Sequence, residues 1–512
     1  MAQNSNLRSR RSAAQLQALA GVQREIRSQD SSGQRKYLKE FSQAFRSYES
    51  VLNSEELGNA VQNADVLLVG DYHALPAAQR FAASLIEERV QPGDRPVVLG
   101  VETIFARDQH ILDQWWRHQI DEAELRRRTR FDPDWGYEWA PFYELLLSAR
   151  EHGEGVYGLD CMPREDLRKI GARDRHAAAK IAELRQRHPH AVIVVLFGES
   201  HLAPGHLPRS VVEALPGERV LTVLQNIDPL YWRAAGEKQE RVEAVRVSPE
   251  VICVFNSTPL EKYESYRLHL TRWSRDGDDP DVAPTIYNLI GSLLHFLEID
   301  GYSSHNGTQP KFLMDMLPEI CTPASDLRQM LASGSAAEVD AILRRFEERG
   351  CVYIPEINSF HVREFRMVYA AEDASRFLHH ACRGLPERAN ANVNRSAGDS
   401  FFLLVIENAL GYFGSRVLYP ARPPVNETEG CDWQKLTSSI EGRSFEAGTE
   451  LLGYMLGNAL YDAYLEGRVT RPALRRLFLT HIEEPGSAKE TYLELSAKLR
   501  SRRKVRAAQS GY

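Results

Sequence analysis

Short apolar runs that alternate with longer helical patterns are the strongest constraint on this chain. Between about residues 65 and 255 the runs are Asp65–Gly70, Pro96–Val101, Gly155–Leu159, Ala191–Phe197, Arg219–Leu224 and Val251–Phe255. Each is rich in Val, Leu and Ile and shows no polar alternation. A strand covered on both faces reads this way. Helical patterns lie between them at Ala77–Arg89, Glu122–Arg128, Pro141–Glu151 and Arg173–Arg187. Strand–helix alternation implies right-handed crossovers and a mainly parallel sheet with flanking helices, an α/β fold.

The pattern changes beyond about Thr271. Ser274–Asp281 (SRDGDDPD) is polar and acidic and reads as a linker. The remainder is mostly α-helical, with patterns at Pro284–Ile299, Ala336–Glu348, Ala371–Cys382, Phe401–Val417, Ala447–Glu466 and Arg471–His481. Leu418–Trp433 is Pro-rich and polar and reads as loop. The expected organisation is a charged helical leader over 1–50, an α/β domain over 51–273, a mostly helical domain over 282–498 and a basic flexible tail over 499–512.

The ends of the apolar runs carry the chemistry. The first leads into Gly70-Asp71-Tyr72-His73 and the second into Glu102. The third ends at Asp160, and the fourth leads into Gly198-Glu199-Ser200-His201. Gln225, Asn226 and Asp228 follow the fifth, and Asn256 follows the sixth. Ligands of open α/β sheets bind beyond the carboxyl ends of the strands, so a polar residue at each such end predicts a site along one sheet edge. Glycine ahead of each His is expected to let the chain turn sharply. Two imidazoles and a carboxylate, His73, His201 and Glu102, match either a transition-metal site or general-base chemistry. Asp160 is a further ligand or an orienting carboxylate, or else a turn residue after its strand. Tyr72 has the chemistry to ligate a ferric haem, against the alternative of simple packing.

Other features have plainer readings. His206 is expected to be a loop histidine. Trp115, Trp116, Trp135, Trp139, Tyr137, Phe142 and Tyr143 either line an apolar ligand pocket or pack helices on the sheet. His379 and His380 are adjacent, so on a helix they point apart and share no ion. Arg126–Arg128 reads as a solvated helix face. A Walker A loop, a GxSxG elbow and an HExxH motif do not occur in the sequence.

The 512 residues, 43% hydrophobic and 26% charged, can bury a core of normal size. A formal net charge of −7 disfavours a general nucleic-acid binder. Six dispersed cysteines without a CxxC pair predict reduced thiols rather than a disulfide framework. The basic, polar N-terminus lacks a signal-peptide core, and no continuous apolar stretch has the length of a membrane span. A cytoplasmic location is expected, with a small-molecule ligand or substrate, no nucleic acid, no membrane span and a possible homodimer.

The segments VLLVGDYHALPAAQRF, PVVLGVETIFARDQHILDQW and AVIVVLFGESHLAPGHLP resemble the ChaN-type haem-binding family. WGYEWAPFYELLL, followed by GVYGLD, resembles its middle region. That family belongs to a wider group with the erythromycin esterases and the Tiki/TraB proteins, known for two Gly-x-x-His motifs and a Glu. Carried over, these positions fall on His73, Glu102 and His201, with Asp71 where members often carry Glu. The resemblance spans about Asp65 to Phe255, and the helical region after Thr271 has no counterpart in it. It implies a haem- or iron-binding protein, with haem or a divalent Fe, Mn or Zn ion as cofactor. His73, Tyr72, His201 and Asp160 would then surround the cofactor. Two alternatives remain: a hydrolase of the same superfamily using His73, Glu102 and His201, with or without a metal, and a helical interaction protein whose α/β domain is inactive.

Overall fold

A computed structural model describes residues 2–30, 36–88, 95–162, 170–237, 242–274, 281–299, 316–321, 327–331, 336–383, 396–425, 445–480, 482 and 484–500. It divides into two compact units, Gln23–Asp276, and Met1–Val22 with Gly277–Tyr512. Most of the Ser274–Asp281 break and of the basic tail, and residues 426–433 of the 418–433 loop with Cys431, lie outside the described residues.

The first unit is α/β, built on an eight-stranded sheet. Its strands are β1 (Ser50–Leu52), β2 (Val66–Asp71), β3 (Val97–Phe105), β4 (Gly155–Asp160), β5 (Val192–Gly198), β6 (Val220–Gln225), β7 (Ala244–Ser248) and β8 (Val251–Val254). They run in the order β1-β7-β8-β6-β2-β5-β3-β4. All pairs from β8 through β4 are parallel. Only β1–β7 and β7–β8 are antiparallel. The six expected strands are all present. The two additions, β1 and β7, form the antiparallel end, where chains are short and polar residues interrupt the apolar run.

Continuous burial follows from cover on both faces. Alternate residues of β2 go to opposite layers. Leu67 and Val69 join one core with Ala82 and Ile86 of helix Pro76–Glu87 and Leu145 and Leu146 of helix Trp139–His152. Val66 and Leu68 join a second core with Ala177, Ile181 and Leu184 of helix Ile170–Arg187 and Val211 of helix Leu207–Ala214. A slip of one residue would exchange the two sets, so the register is strongly specified.

β3 departs from the expected end at Val101. It continues to Phe105, and its register against β4 shifts between the pairs Val101–Gly158 and Phe105–Asp160. Three residues, Glu102, Thr103 and Ile104, therefore face the single Leu159. Such a bulge re-aims side chains. It also demands a glycine opposite, because a Cβ on Gly158 would lie 2.7 Å from the Phe105 carbonyl oxygen.

The second unit is mostly helical, with helices including Ala283–Leu297, Ala336–Arg349, Met367–Arg383, Ala397–Leu418 and Phe445–Leu465. It also holds a small sheet that the helical reading omitted. β9 (Glu319–Cys321) is parallel to β11 (Ser359–Val362), which is antiparallel to β10 (Cys351–Ile354). Strands of three or four residues are too short to show a period. Ala397–Leu418 is long and apolar enough to cross a membrane, contrary to the expectation that no segment would be. However, 67% of that stretch is buried within the protein, as in a core helix.

Candidate functional site

The sheet order β2-β5-β3-β4 sets His73, His201, Glu102 and Asp160 side by side along one carboxyl edge. His73 follows β2, and its Nδ1 lies 2.7 Å from Asp71 Oδ2. The Gln79 side-chain amide donates to the other Asp71 oxygen. His201 follows β5 in the turn Glu199–Leu202, and its Nδ1 lies 2.5 Å from Asp174 Oδ1. Both imidazoles thus have Nδ1 held by an aspartate. Their Nε2 atoms face one carboxylate: His73 Nε2 is 3.9 Å from Glu102 Oε2, and His201 Nε2 is 3.7 Å from Glu102 Oε1.

The bulge aims Glu102 into this position. Its Oε2 accepts from the Gly198 amide at 2.6 Å and its Oε1 from an Arg173 terminal nitrogen at 2.6 Å. Arg173 also donates to both Asp160 oxygens, at 2.8 and 2.9 Å. Burial alone would raise the Glu102 carboxyl. His201, Arg173, His73 and the Gly198 amide outweigh it and hold the group at about 2. Glu102 is therefore an anion at neutral pH.

The two motif glycines serve a different purpose from the one expected. Neither Gly70 nor Gly198 has a positive φ, so no glycine-only turn is made. At Gly198 the need is space. A Cβ there would stand 3.0 Å from Glu102 Oε2 and 3.1 Å from His73 Nε2.

The three residues converge, and each already has partners within the protein. Glu102 is already engaged by a guanidinium and an amide, and each Nδ1 by a carboxylate. Among the described residues no group of three His, Cys, Asp or Glu side chains is spaced to hold a metal ion. The two histidines also differ in access. The His201 side chain is 4% exposed and that of His73 is 22% exposed. Of the two, His73 is the more accessible.

Aromatic groups surround His73. Trp135 and Tyr137 lie 4.4 and 5.2 Å away between ring centroids. His269 stacks on Tyr137 at 4.0 Å. Of the aromatic cluster read from the sequence, Trp135 and Tyr137 reach the site, while Trp115, Trp139, Phe142 and Tyr143 pack in the core beside it. Tyr72 turns toward another group. Its ring lies 4.5 Å from the buried Lys262 ammonium and packs edge-on against Tyr266. Burial, with Tyr263 and Glu199 nearby, pushes its phenol well above the usual range, which opposes ligation as phenolate.

Lys262 donates to both Glu199 oxygens, at 2.9 and 3.0 Å. Burial pushes Glu199 upward against the pull of Lys262. Gln225 bonds the carbonyls of Gly70 and Ala78, and Asn256 bonds Gln225 and Asn226, so these strand-end residues tie the loops together. His206 is partly buried, bonded to Glu40 at 3.1 Å, and stands 3.4 Å from Asp174.

Sequence reading missed Arg173, Asp174, Lys262 and His269. The first two are consecutive on a helix whose polar residues look solvated. Lys262, Tyr266 and His269 recur at helical spacing on Pro259–Ser274, and that stripe was a signal.

His269 carries a pH prediction. Burial, then Arg272 and His73, lower it to about 3. It folds neutral, so its contribution is present above its ordinary value of 6.5 and is lost as pH falls toward 3. The steepest loss is about 1.4 kcal/mol per pH unit. Urea unfolding at pH 7 and pH 5 should show a difference that shrinks in His269→Phe, and an unchanged difference would refute the assignment.

Residues 57–190 match the family model described as haem-binding uptake, Tiki superfamily, ChaN. The match includes His73 and Glu102 and ends before His201. Two solved structures are similar at low levels. One, described as cofacial heme binding to ChaN of Campylobacter jejuni, is 13% identical, covers 39% of this chain and 91% of its own, and has a TM-score of 0.29. The other, the type III effector HopBA1, is 15% identical, covers 41% of this chain and 96% of its own, and has a TM-score of 0.28. No curated protein matches by sequence. Residues 57–190, which lie within the α/β unit, are thus similar to the ChaN-type haem-binding family of the Tiki superfamily.

Proposed function

We propose that the α/β unit binds haem, which His73 would hold. The observation that carries this reading is the tethered, part-exposed imidazole of His73 between Trp135 and Tyr137. The donor set fits such a group. Asp71 fixes one ring nitrogen and raises the basicity of the ring. The part-exposed Tyr137, with Trp135 packed against it, would offer apolar surface to a flat macrocycle. Bound haem would supply an iron centre for ligand or electron chemistry. His201, which is buried, positions Glu102 rather than touching the ligand.

The test is a titration of the full chain with hemin. Wild type should develop a Soret band that saturates, and His73→Ala should weaken binding by at least about 100-fold. An identical titration in His73→Ala would overturn the reading.

A second reading, ester hydrolysis, is favoured by the shared carboxylate. Glu102 stands between two aspartate-held imidazoles, an arrangement suited to moving a proton from water through His73. Hydrolysis of a p-nitrophenyl ester without a Soret band, lost in His73→Ala, would select it. The paired Asp71–His73 and Asp174–His201 contacts speak against an inactive domain.

A further inference from the structure

We infer that Asp174, His206 and Glu40 carry protons between the buried His201 and solvent, on the side of His201 turned away from Glu102. Imidazoles and carboxylates alternate along this line, and each inner group presents a different atom to each neighbour. His201 Nε2 faces Glu102 Oε1 at 3.7 Å, and its Nδ1 faces Asp174 Oδ1 at 2.5 Å. Asp174 turns its other oxygen, Oδ2, to His206 Nδ1 at 3.4 Å. His206 turns its other nitrogen, Nε2, to Glu40 Oε2 at 3.1 Å. Groups joined in this way can take a proton at one atom and release one from another. Exposure rises along the line, from 2% for the Asp174 side chain to 15% for His206 and 45% for Glu40.

Three elements bring the groups together. Glu40 stands on helix Lys36–Ala44, Asp174 on helix Ile170–Arg187, and His206 at the N-cap of helix Leu207–Ala214. The His206 side chain makes no capping bond to that helix, so both ring nitrogens are left to the two carboxylates. On the same helix Arg209 is paired with Glu213 at 2.7 Å, so the charges that face the ring are those of Asp174 and Glu40. Asp174 Oδ2 is buried and makes no hydrogen bond to a described residue. Such an oxygen is costly to leave unbonded, and His206 Nδ1 stands only a few tenths of an ångström beyond bonding distance. A small closure of that gap completes the line.

The proton steps balance. A doubly protonated His201 gives its Nδ1 proton to Asp174 Oδ1. A half-turn of the carboxyl presents that proton to His206 Nδ1, and His206 releases its Nε2 proton to Glu40 or to water. One proton leaves, His201 becomes neutral and Asp174 is ionised again; the reverse passage restores every group. Positive charge brought to His73 acts on His201 across Glu102, and the route lets His201 discharge without water entering the site. That purpose rests on the proposed function, whereas the route itself does not.

The test is proton NMR of the full chain without ligand. A short imidazole–carboxylate hydrogen bond gives a far-downfield proton signal, and saturation transfer from water reads its exchange. The His201–Asp174 signal is the one lost in Asp174→Asn. The His73–Asp71 signal, lost in Asp71→Asn, is the internal reference. His206→Phe fills the space of the imidazole with a ring that carries no proton. It should leave the His201–Asp174 signal in place and slow its exchange about 100-fold, the low end of what a positioned acid–base group contributes, while the reference keeps its rate. Glu40→Gln should slow exchange less, because His206 itself reaches solvent. Unchanged exchange in His206→Phe would overturn the inference, as would a wild type without the signal. A signal lost or moved in His206→Phe would overturn it too, since His206 would then support Asp174 rather than carry its proton. Failure of hemin to bind would sink the haem reading and leave each of these outcomes as it stands.

Discussion

Replacing Arg173 by methionine should destabilise the α/β unit by about 3–5 kcal/mol, the cost of stripping a buried ion network of its one cation. The guanidinium is 4% exposed and answers two carboxylates, Asp160 and Glu102, that are themselves buried. Without it both carboxylates would have to ionise in a low dielectric or take up a proton. Six of the seven tryptophans lie between Gln23 and Asp276, so their fluorescence follows this unit. The expected drop in its melting temperature is on the order of 10 °C. Arg173→Lys should recover part of the loss, because it restores charge but not the two-pronged geometry. A loss below about 1 kcal/mol in Arg173→Met would mean that the network is not what holds Glu102.

The second large effect falls on ligand binding. Asp71→Asn keeps the size of the side chain and removes its charge. His73 would lose the carboxylate at 2.7 Å that fixes its tautomer and orientation. Haem affinity should fall about 10–100-fold, as is usual when the partner of a ligating imidazole is changed. The melting temperature should move little by comparison. Unaltered affinity would show that Asp71 does not orient the ligating ring. Equal losses in melting temperature and affinity would show that it serves only the fold.

The parallel sheet was legible because burial on both faces writes an unbroken apolar run into the sequence, as in VLLVG of β2 and VIVVLF of β5. The two short strands β1 and β7 were not, since their pairing depends on distant partners rather than on local pattern. His73 and His201 stood out because each follows such a run by a fixed interval. The aim of Glu102 was hidden, because a bulge is a property of two strands in register and leaves no mark in one. Arg173 and Asp174 were hidden for another reason. A charged residue on a helix is usually solvated, and only the packing of Ile170–Arg187 on the sheet shows these two to be interior. The histidines were also read as equivalent ligands. Their difference in exposure comes from what covers them, which a motif cannot express.

Arg173 and Asp174 are neighbours on one helix, yet they serve different partners, Glu102 with Asp160 in one case and His201 in the other. The helix is therefore mechanically coupled to both halves of the site. A displacement of its first turns by an ångström or so would loosen the carboxylate and the buried imidazole together, whereas His73, tied through Asp71 to its own strand, would stay in place. The ligand-facing group and its electrostatic background are thus anchored to separate parts of the fold. One can be tuned without dismantling the other.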